Sequence, residues 1–214
     1  MKPYFILGTD TDCGKTYVTC QLMRYFEAKN QQVLAIKPVA SGCIEQNGVL
    51  ISEDAVCLVQ YNDHTQDQIC PWRLRLPVSP HLAAQADGLF ISAQMIVDFC
   101  TDKLFEMHDY LLIEGAGGLM VPLNHQETWI DVLTQSKIPV ILVVGMRLGC
   151  INHALLTALA LKKHSIACAG WIANCVDKDM LMLSENIHTL SNKLDWPLLA
   201  VIPYAGILSH ALTI

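Results

Sequence analysis

Residues 8–16 read Gly-Thr-Asp-Thr-Asp-Cys-Gly-Lys-Thr, after a short apolar run and before a helical pattern. Lysine and threonine after a glycine, at the opening of a helix, are residue types that hold a triphosphate. Successive main-chain N–H groups form an anion nest, and the helix N-terminus adds about half a positive charge. In that chemistry Gly14 lets the backbone approach the phosphates, Lys15 bridges the β- and γ-phosphates, and Thr16 holds Mg²⁺. The usual spacing, Gly-x-x-x-x-Gly-Lys-Thr, would put the first glycine at position 9; here position 9 is Thr, and Gly8 comes one residue early. The plainer alternative is a strand–turn–helix junction with a chance Gly-Lys-Thr, and the context favours the phosphate reading.

Other chemistry-bearing residues sit where strands would end. The apolar run 110–113 ends in Glu114, followed by Gly115, Ala116, Gly117 and Gly118. Glu114 is either a second Mg²⁺ ligand, direct or through water, or an exposed strand-end carboxylate. Position 120 is Met, so the Gly-x-Gly-x-x-Gly pattern of a nicotinamide site is broken. Lys37 closes another run and reads Lys-Pro-Val-Ala-Ser-Gly through Ser41 and Gly42. A lysine there is either solvated or a second cation for phosphoryl transfer, and Ser41 and Gly42 suit an ordinary turn. Asp54, after Ser52 and Glu53, either favours a helix dipole or joins the Mg²⁺ site. Asn174 either starts a turn or reads a base edge with its amide.

The pattern around these residues predicts the scaffold. Strand-length apolar runs at 4–7, 33–37, 110–114, 140–145, 169–173 and 198–202 alternate with helical periodicity. Helices are expected over 15–30 (Val18, Leu22, Tyr25, Phe26), after a Ser92 cap (Met95, Ile96, Phe99, Cys100) and over 152–163 (Leu155, Leu156, Leu159). Another is expected through Met180, Leu183, Ile187, Leu190 and Leu194. The expectation is an α/β fold, one domain over 1–214, with a mostly parallel sheet covered by helices on both faces. Ligands of such sheets lie at the carboxyl ends of the strands. The stretch 61–80, with Pro71, Pro77 and Pro80, reads as an irregular connection.

Composition excludes several classes. Apolar residues make up 52% and charged residues 16%, which rules out a disordered chain. The net charge of −6 argues against nucleic acid. No apolar run approaches a membrane span, and no signal peptide is evident. Nine cysteines without a Cys-x-x-Cys spacing read as reduced thiols of a cytoplasmic protein. The low charged fraction suggests apolar surface covered by a second copy.

Together the segments resemble the dethiobiotin synthetase family of P-loop enzymes, ATP-dependent carboxylases that close the ureido ring in biotin synthesis. The resemblance rests on residues 8–16 with their early glycine, Lys-Pro-Val-Ala-Ser-Gly at 37–42 and Glu-Gly-Ala-Gly-Gly at 114–118. It extends through 139–145, Leu-Gly-Cys-Ile-Asn-His at 148–153, Gly-Trp-Ile-Ala-Asn at 170–174 and Ile202-Pro203, so it covers nearly the whole chain.

The resemblance implies 7,8-diaminopelargonate, CO₂ or bicarbonate and ATP as substrates, with Mg²⁺. Lys37, Lys15 and Thr11 are the implied catalytic residues, and Thr16, Asp54 and Glu114 the implied metal ligands. ATP would lie on Asp12, Cys13, Gly14, Lys15, Thr16 and Tyr17, with Asp54, Glu114, Gly115, Ala116 and Gly117. Its adenine would meet Asn174, Cys175, Pro203, Tyr204 and Ala205. Substrate would meet Lys37, Ser41 and Gly118. Leu148, Gly149, Cys150, Ile151 and Asn152 are implied to grip its distant carboxylate from the neighbouring subunit of a homodimer. Cys175 stands where the family pattern has a more polar residue. The chain ends 11 residues after Pro203, so the adenine side is expected to be open. Cys13 lies inside the phosphate loop; if accessible, its alkylation should block ATP binding.

The main rival is an ATP-driven switch of the kind that positions plasmids or division sites through protein partners. Those proteins carry a second lysine early in the phosphate loop, where this chain has Asp10. Another ring- or amide-forming ATP enzyme would not need Lys-Pro-Val-Ala-Ser-Gly, and a degenerate structural dimer would not need Lys15, Thr16, Asp54 and Glu114.

Overall fold

The computed structural model describes residues 1–208. In chain order the central elements begin with β1 (Lys2–Gly8), α1 (Lys15–Glu27) and β2 (Val33–Ile36). A small region follows, with β3 (Val39–Ser41), β4 (Ile44–Gln46), β5 (Val49–Ile51), α2 (Glu53–Val59), α3 (Gln66–Ile69), β6 (Trp72–Leu74) and α4 (Pro80–Ala86). Next come α5 (Ala93–Cys100), β7 (Tyr110–Gly118), α6 (Trp129–Ser136), β8 (Val140–Gly145) and α7 (Cys150–Lys163). The described elements close with β9 (Cys168–Asn174), α8 (Leu183–Lys193) and β10 (Leu198–Ile202).

Six strands form one sheet in the order β10-β9-β8-β1-β7-β2, every pair parallel. All six residues of β8 are buried, as a strand covered on both faces requires. From β1 the chain runs to β2 on one side, and from β8, the neighbour of β1 on the other side, it runs outward to β9; the connections diverge between β1 and β8, a switch point where ligands gather. Register puts the strand ends in line: Gly8 is opposite Val143 and Gly118, Ile6 opposite Glu114, and Asn174 opposite both Gly145 and Ile202. The core beneath is aromatic in part, with Phe5 against Trp129 at 5.3 Å and Phe26 stacked on Tyr110 at 4.0 Å.

The six expected strands form, and β7 runs through the glycines to Gly118 rather than stopping at Glu114. The first helix ends at Glu27, capped at Ala28, because the chain turns at Asn30 with positive φ. Ser92 caps α5 as expected, its hydroxyl accepting from the Met95 N–H. The last amphipathic helix begins only at Leu183, so Met180 precedes it.

Two readings of local structure are corrected. In α7 the buried face is Cys150, Ala154, Thr157, Ala158 and Leu161, while Leu156 and Leu159 point to solvent. Small residues let the helix sit close to the sheet; of the three leucines expected to face the core, Leu155 is half-buried against it and Leu156 and Leu159 form an outer apolar face. The stretch 61–80 is not merely irregular. It contains α3 and β6, the latter paired in parallel with β3. The hairpin β4–β5 turns at Asn47 and Gly48, both at positive φ, as a two-residue turn demands. Residues 209–214 of the expected single domain, and with them the chain end beyond the adenine side, lie outside the described residues.

Candidate active site

The phosphate loop leaves β1 at Gly8 and enters α1 at Lys15. It folds back so tightly that a Cβ on Gly8 would lie 2.6 Å from Cys13 Sγ and 2.9 Å from the Asp10 carbonyl oxygen. This close approach accounts for the early glycine. Asp12 and Gly14 both take positive φ, so the loop's N–H groups can turn inward together. Lys15 is buried, and its Nζ donates to the Asp10 carbonyl at 3.1 Å. Arg147, in the loop after β8, holds the Asp10 carboxylate at 2.6 Å and the Thr11 carbonyl at 3.1 Å.

Side chains from α1, α2, β7 and the end of β2 then meet. The Thr16 hydroxyl lies 2.8 Å from Asp54 Oδ1 and 2.7 Å from Glu114 Oε1. Lys37 Nζ bridges the same acids, 2.5 Å from Asp54 Oδ2 and 2.6 Å from Glu114 Oε1. Asp54 is aimed here by α2, whose start is fixed when the Ser52 hydroxyl accepts from the Ala55 N–H. Burial pushes the Lys37 ammonium down, but the Glu114 and Asp54 carboxylates outweigh it and hold its pKa above the ordinary lysine value. Burial likewise pushes Asp54 up, and Lys37 together with the hydrogen bonds from Lys37 and Thr16 brings it below the usual carboxylate range. Glu114 Oε2 is buried with no hydrogen-bond partner.

A cavity of about 640 Å³ opens over this cluster. Thr11, Asp12, Gly14, Lys15 and Thr16 line it on the loop side, with Lys37, Asp54, Glu114, Ala116 and Gly117. Ser41 lines it too, with a buried hydroxyl that has no partner. Sequence reasoning missed Val121 and the wall made by Pro77, Val78, Ser79 and Pro80. The Ser79-Pro80 pair, a cap residue followed by a first-turn proline, was the available signal.

The remaining expected residues lie around this cavity rather than on it. Cys13 is fully buried under the loop, so the condition for its alkylation is not met. All nine cysteines are free, and Cys57 is the exposed one. Maleimide should therefore modify Cys57 before Cys13 in the folded protein, checked by peptide mapping; early label on Cys13 would contradict the loop's packing. Asn174 is buried and donates its amide to the Cys13 carbonyl at 2.9 Å, which ties β9 to the phosphate loop. The Cys175 N–H donates to the Ile202 carbonyl. Pro203, Tyr204 and Ala205 form an exposed turn, drawn to α1 by the Tyr17 hydroxyl on the Gly206 carbonyl. Gly115 and Gly118 belong to the extended end of β7, where the Trp129 indole N–H donates to the Ala116 carbonyl at 2.9 Å. Leu148, Gly149 and Asn152 are exposed, Ile151 is half-buried, and the Cys150 side chain is buried.

The donor set fits a small hard cation. Among the described residues no three His, Cys, Asp or Glu side chains gather as a metal cage. Two carboxylates, one of them with the unpartnered Glu114 Oε2, and a threonine hydroxyl suit Mg²⁺, which completes its shell with phosphate and water. No helix among the described residues is long and apolar enough to cross a membrane.

The chain matches the AAA domain family over residues 2–211. It is 54% identical over 209 residues to the ATP-dependent dethiobiotin synthetase BioD of Legionella pneumophila (strain Lens), covering 98% of this chain and 97% of that protein. The protein of the same name from Nitrosospira multiformis is 42% identical over 203 residues, covering 95% and 88%. Among solved structures, the septum site-determining protein MinD of Pyrococcus horikoshii, complexed with Mg-ADP, aligns with a TM-score of 0.57 at 21% identity, covering 94% of this chain and 81% of that one. That likeness is one of fold. Coverage by relatives of this identity makes the chain a member of the ATP-dependent dethiobiotin synthetase family.

Proposed function

We propose that the chain carboxylates 7,8-diaminopelargonate with CO₂ and closes the ureido ring, converting ATP to ADP and phosphate. As a family member it is an ATP-dependent ligase that forms dethiobiotin. The observation that carries the residue assignment is the Lys37 ammonium, held 2.5 and 2.6 Å from Asp54 and Glu114 on the wall of the phosphate-loop cavity.

One amine takes up CO₂ to give a carbamate, and a carbamate oxygen attacks the γ-phosphorus as ADP leaves. The second amine then attacks the carbonyl carbon of the mixed anhydride, phosphate departs, and the ring closes. None of these steps needs a protein nucleophile; positioning and charge suffice. Lys15 and the loop N–H groups hold the triphosphate. Lys37 faces the negative charge of the carbamate and its phosphorylated form. Thr11 lies at the loop end of the cavity, and the unpartnered Ser41 hydroxyl offers a donor and acceptor to the diamine. Thr16, Asp54 and Glu114 would hold Mg²⁺, which supplies charge neutralisation on the phosphates when bound. Asn174, Cys175 and the turn at 203–205 would take the adenine.

The exposed Leu148, Leu156 and Leu159 on and before α7 support a homodimer in which residues 148–152 serve the neighbouring site. A cytoplasmic location accords with free cysteines throughout. The partner-driven switch is not favoured: Asp10, where a switch would have lysine, is committed to Arg147.

The test is a product assay by mass spectrometry with diamine, bicarbonate, Mg²⁺ and ATP, each omitted in turn. Dethiobiotin with matching ADP is expected only in the full mixture. ATP hydrolysis without dethiobiotin would discard the substrate and keep the phosphate loop.

A further inference from the structure

Each C–N bond formed in the proposed reaction releases a proton from the attacking amine, so something beside the diamine must accept it. The cavity's acids are otherwise engaged. Asp54 and Glu114 bind Lys37 and Thr16, and Asp12 belongs to the loop that takes the triphosphate.

The wall at 77–80 supplies an alternative. It is laced to the segment that carries Ser41, because the Gly42 N–H donates to the Leu76 carbonyl at 3.0 Å and the Cys43 N–H to Leu74 at 2.9 Å. Ser79 lines the cavity at the position before α4, where a serine ordinarily caps the helix. Its hydroxyl makes no capping bond. Instead Ser79 Oγ lies 2.9 Å from Nδ1 of His81. The His81 ring is half-buried and looks into a separate hollow of about 240 Å³. Among the described residues lining that hollow, His125 is the other titratable group, its ring 6.4 Å from His81. The Glu127 carboxylate stands behind Asn124, which it accepts from at 2.6 Å.

We propose that Ser79 and His81 form a proton-accepting pair for the amine of the substrate, a role that rests on the reading of this cavity as the diamine site. As the amine nitrogen bonds to carbon, its N–H breaks and the proton passes to Ser79 Oγ. The hydroxyl's own proton moves to His81 Nδ1, which accepts when that nitrogen carries no hydrogen. The imidazolium then returns the proton to solvent. Imidazole is the side chain suited to such exchange near neutral pH. Ser79 touches the substrate and His81 acts through it, as a positioning and proton-holding residue.

The experiment measures dethiobiotin turnover against pH for the unmodified protein and for Ser79→Ala, His81→Ala, His81→Gln and His125→Ala, with ATP binding measured separately. His81→Ala and Ser79→Ala should each lose turnover by about 100-fold while binding ATP as before. His81→Gln, which can keep a bond to Ser79 and stay folded, should show the same loss. Added imidazole should restore His81→Ala, since the neighbouring hollow has room for it, and should leave Ser79→Ala unchanged. His125→Ala should retain the original pH profile. Turnover within about twofold in His81→Gln, or an equal loss in His125→Ala, would overturn the pair. So would a loss in His81→Ala that imidazole cannot restore in protein that still binds ATP. Absence of dethiobiotin from the unmodified protein would instead bring down the underlying reading of the site.

Discussion

Lys37→Gln should reduce dethiobiotin turnover by about 100- to 1,000-fold, the range seen when one pre-organised donor to a developing charge is removed. ATP affinity should change little, because Lys15 and the loop N–H groups remain. Lys37 is buried, and its ammonium is the only cation the structure shows against the Asp54 and Glu114 carboxylates among the described residues. Glutamine keeps roughly the length and one donor but removes the charge. Leaving Glu114 buried without its cation should also lower stability, by about 3–5 kcal/mol where no water enters. Thermal melts therefore belong beside the kinetics, and Mg²⁺ should recover part of that loss by taking the vacated charge position. Equal losses in turnover and ATP affinity would make Lys37 a nucleotide ligand and remove it from the carbamate.

Gly14→Ala should abolish useful ATP binding, with affinity falling by at least about 100-fold. Gly14 sits at φ 82°, and an alanine in that region costs about 1–2 kcal/mol. A Cβ there would also lie 2.1 Å from Asn174 Nδ2. Asn174 cannot step aside freely, because its amide holds the Cys13 carbonyl inside the core. Breaking that bond leaves a buried acceptor and costs a further 1–3 kcal/mol, as an order-of-magnitude figure. Either the asparagine or the loop must give way, and both outcomes displace the N–H groups meant for the phosphates. Titration of a fluorescent ATP analogue checks the loss. Combining Gly14→Ala with Asn174→Ala should not recover ATP affinity, because Asn174 is also assigned to the adenine and holds the Cys13 carbonyl. Near-normal binding by the single variant would contradict the loop geometry.

The strands of the central sheet were legible because burial on both faces leaves continuous apolar runs, as in β8. The phosphate loop and Glu114 were legible for the same reason, since each directly follows such a run. Asp54 was readable from its Ser52 cap. Other features depend on distant partners. Arg147 matters through Asp10, which lies 137 residues away in the chain. The wall at Ser79 matters because β6 pairs with β3 and carries residues 77–80 to the cavity, and three-residue strands leave no periodicity to read. The Asn47-Gly48 pair carried a hairpin signal in its residue types, which sequence reasoning passed over. In α7 the leucine spacing misplaced Leu156 and Leu159, because alanines filled the close approach to the sheet.

The two lysines of the site rest on acceptors of very different strength. Lys37 lies between two carboxylates, whereas Lys15 rests on a neutral carbonyl. The carboxylate of the same residue, Asp10, is claimed by Arg147. A triphosphate therefore has only a weak hydrogen bond to displace before it engages Lys15. Releasing Lys37 requires that another cation first satisfy Asp54 and Glu114. On the proposed roles the site would be graded in readiness: the nucleotide would find its lysine waiting, and the charge assigned to the carbamate would stay sequestered until a metal had arrived.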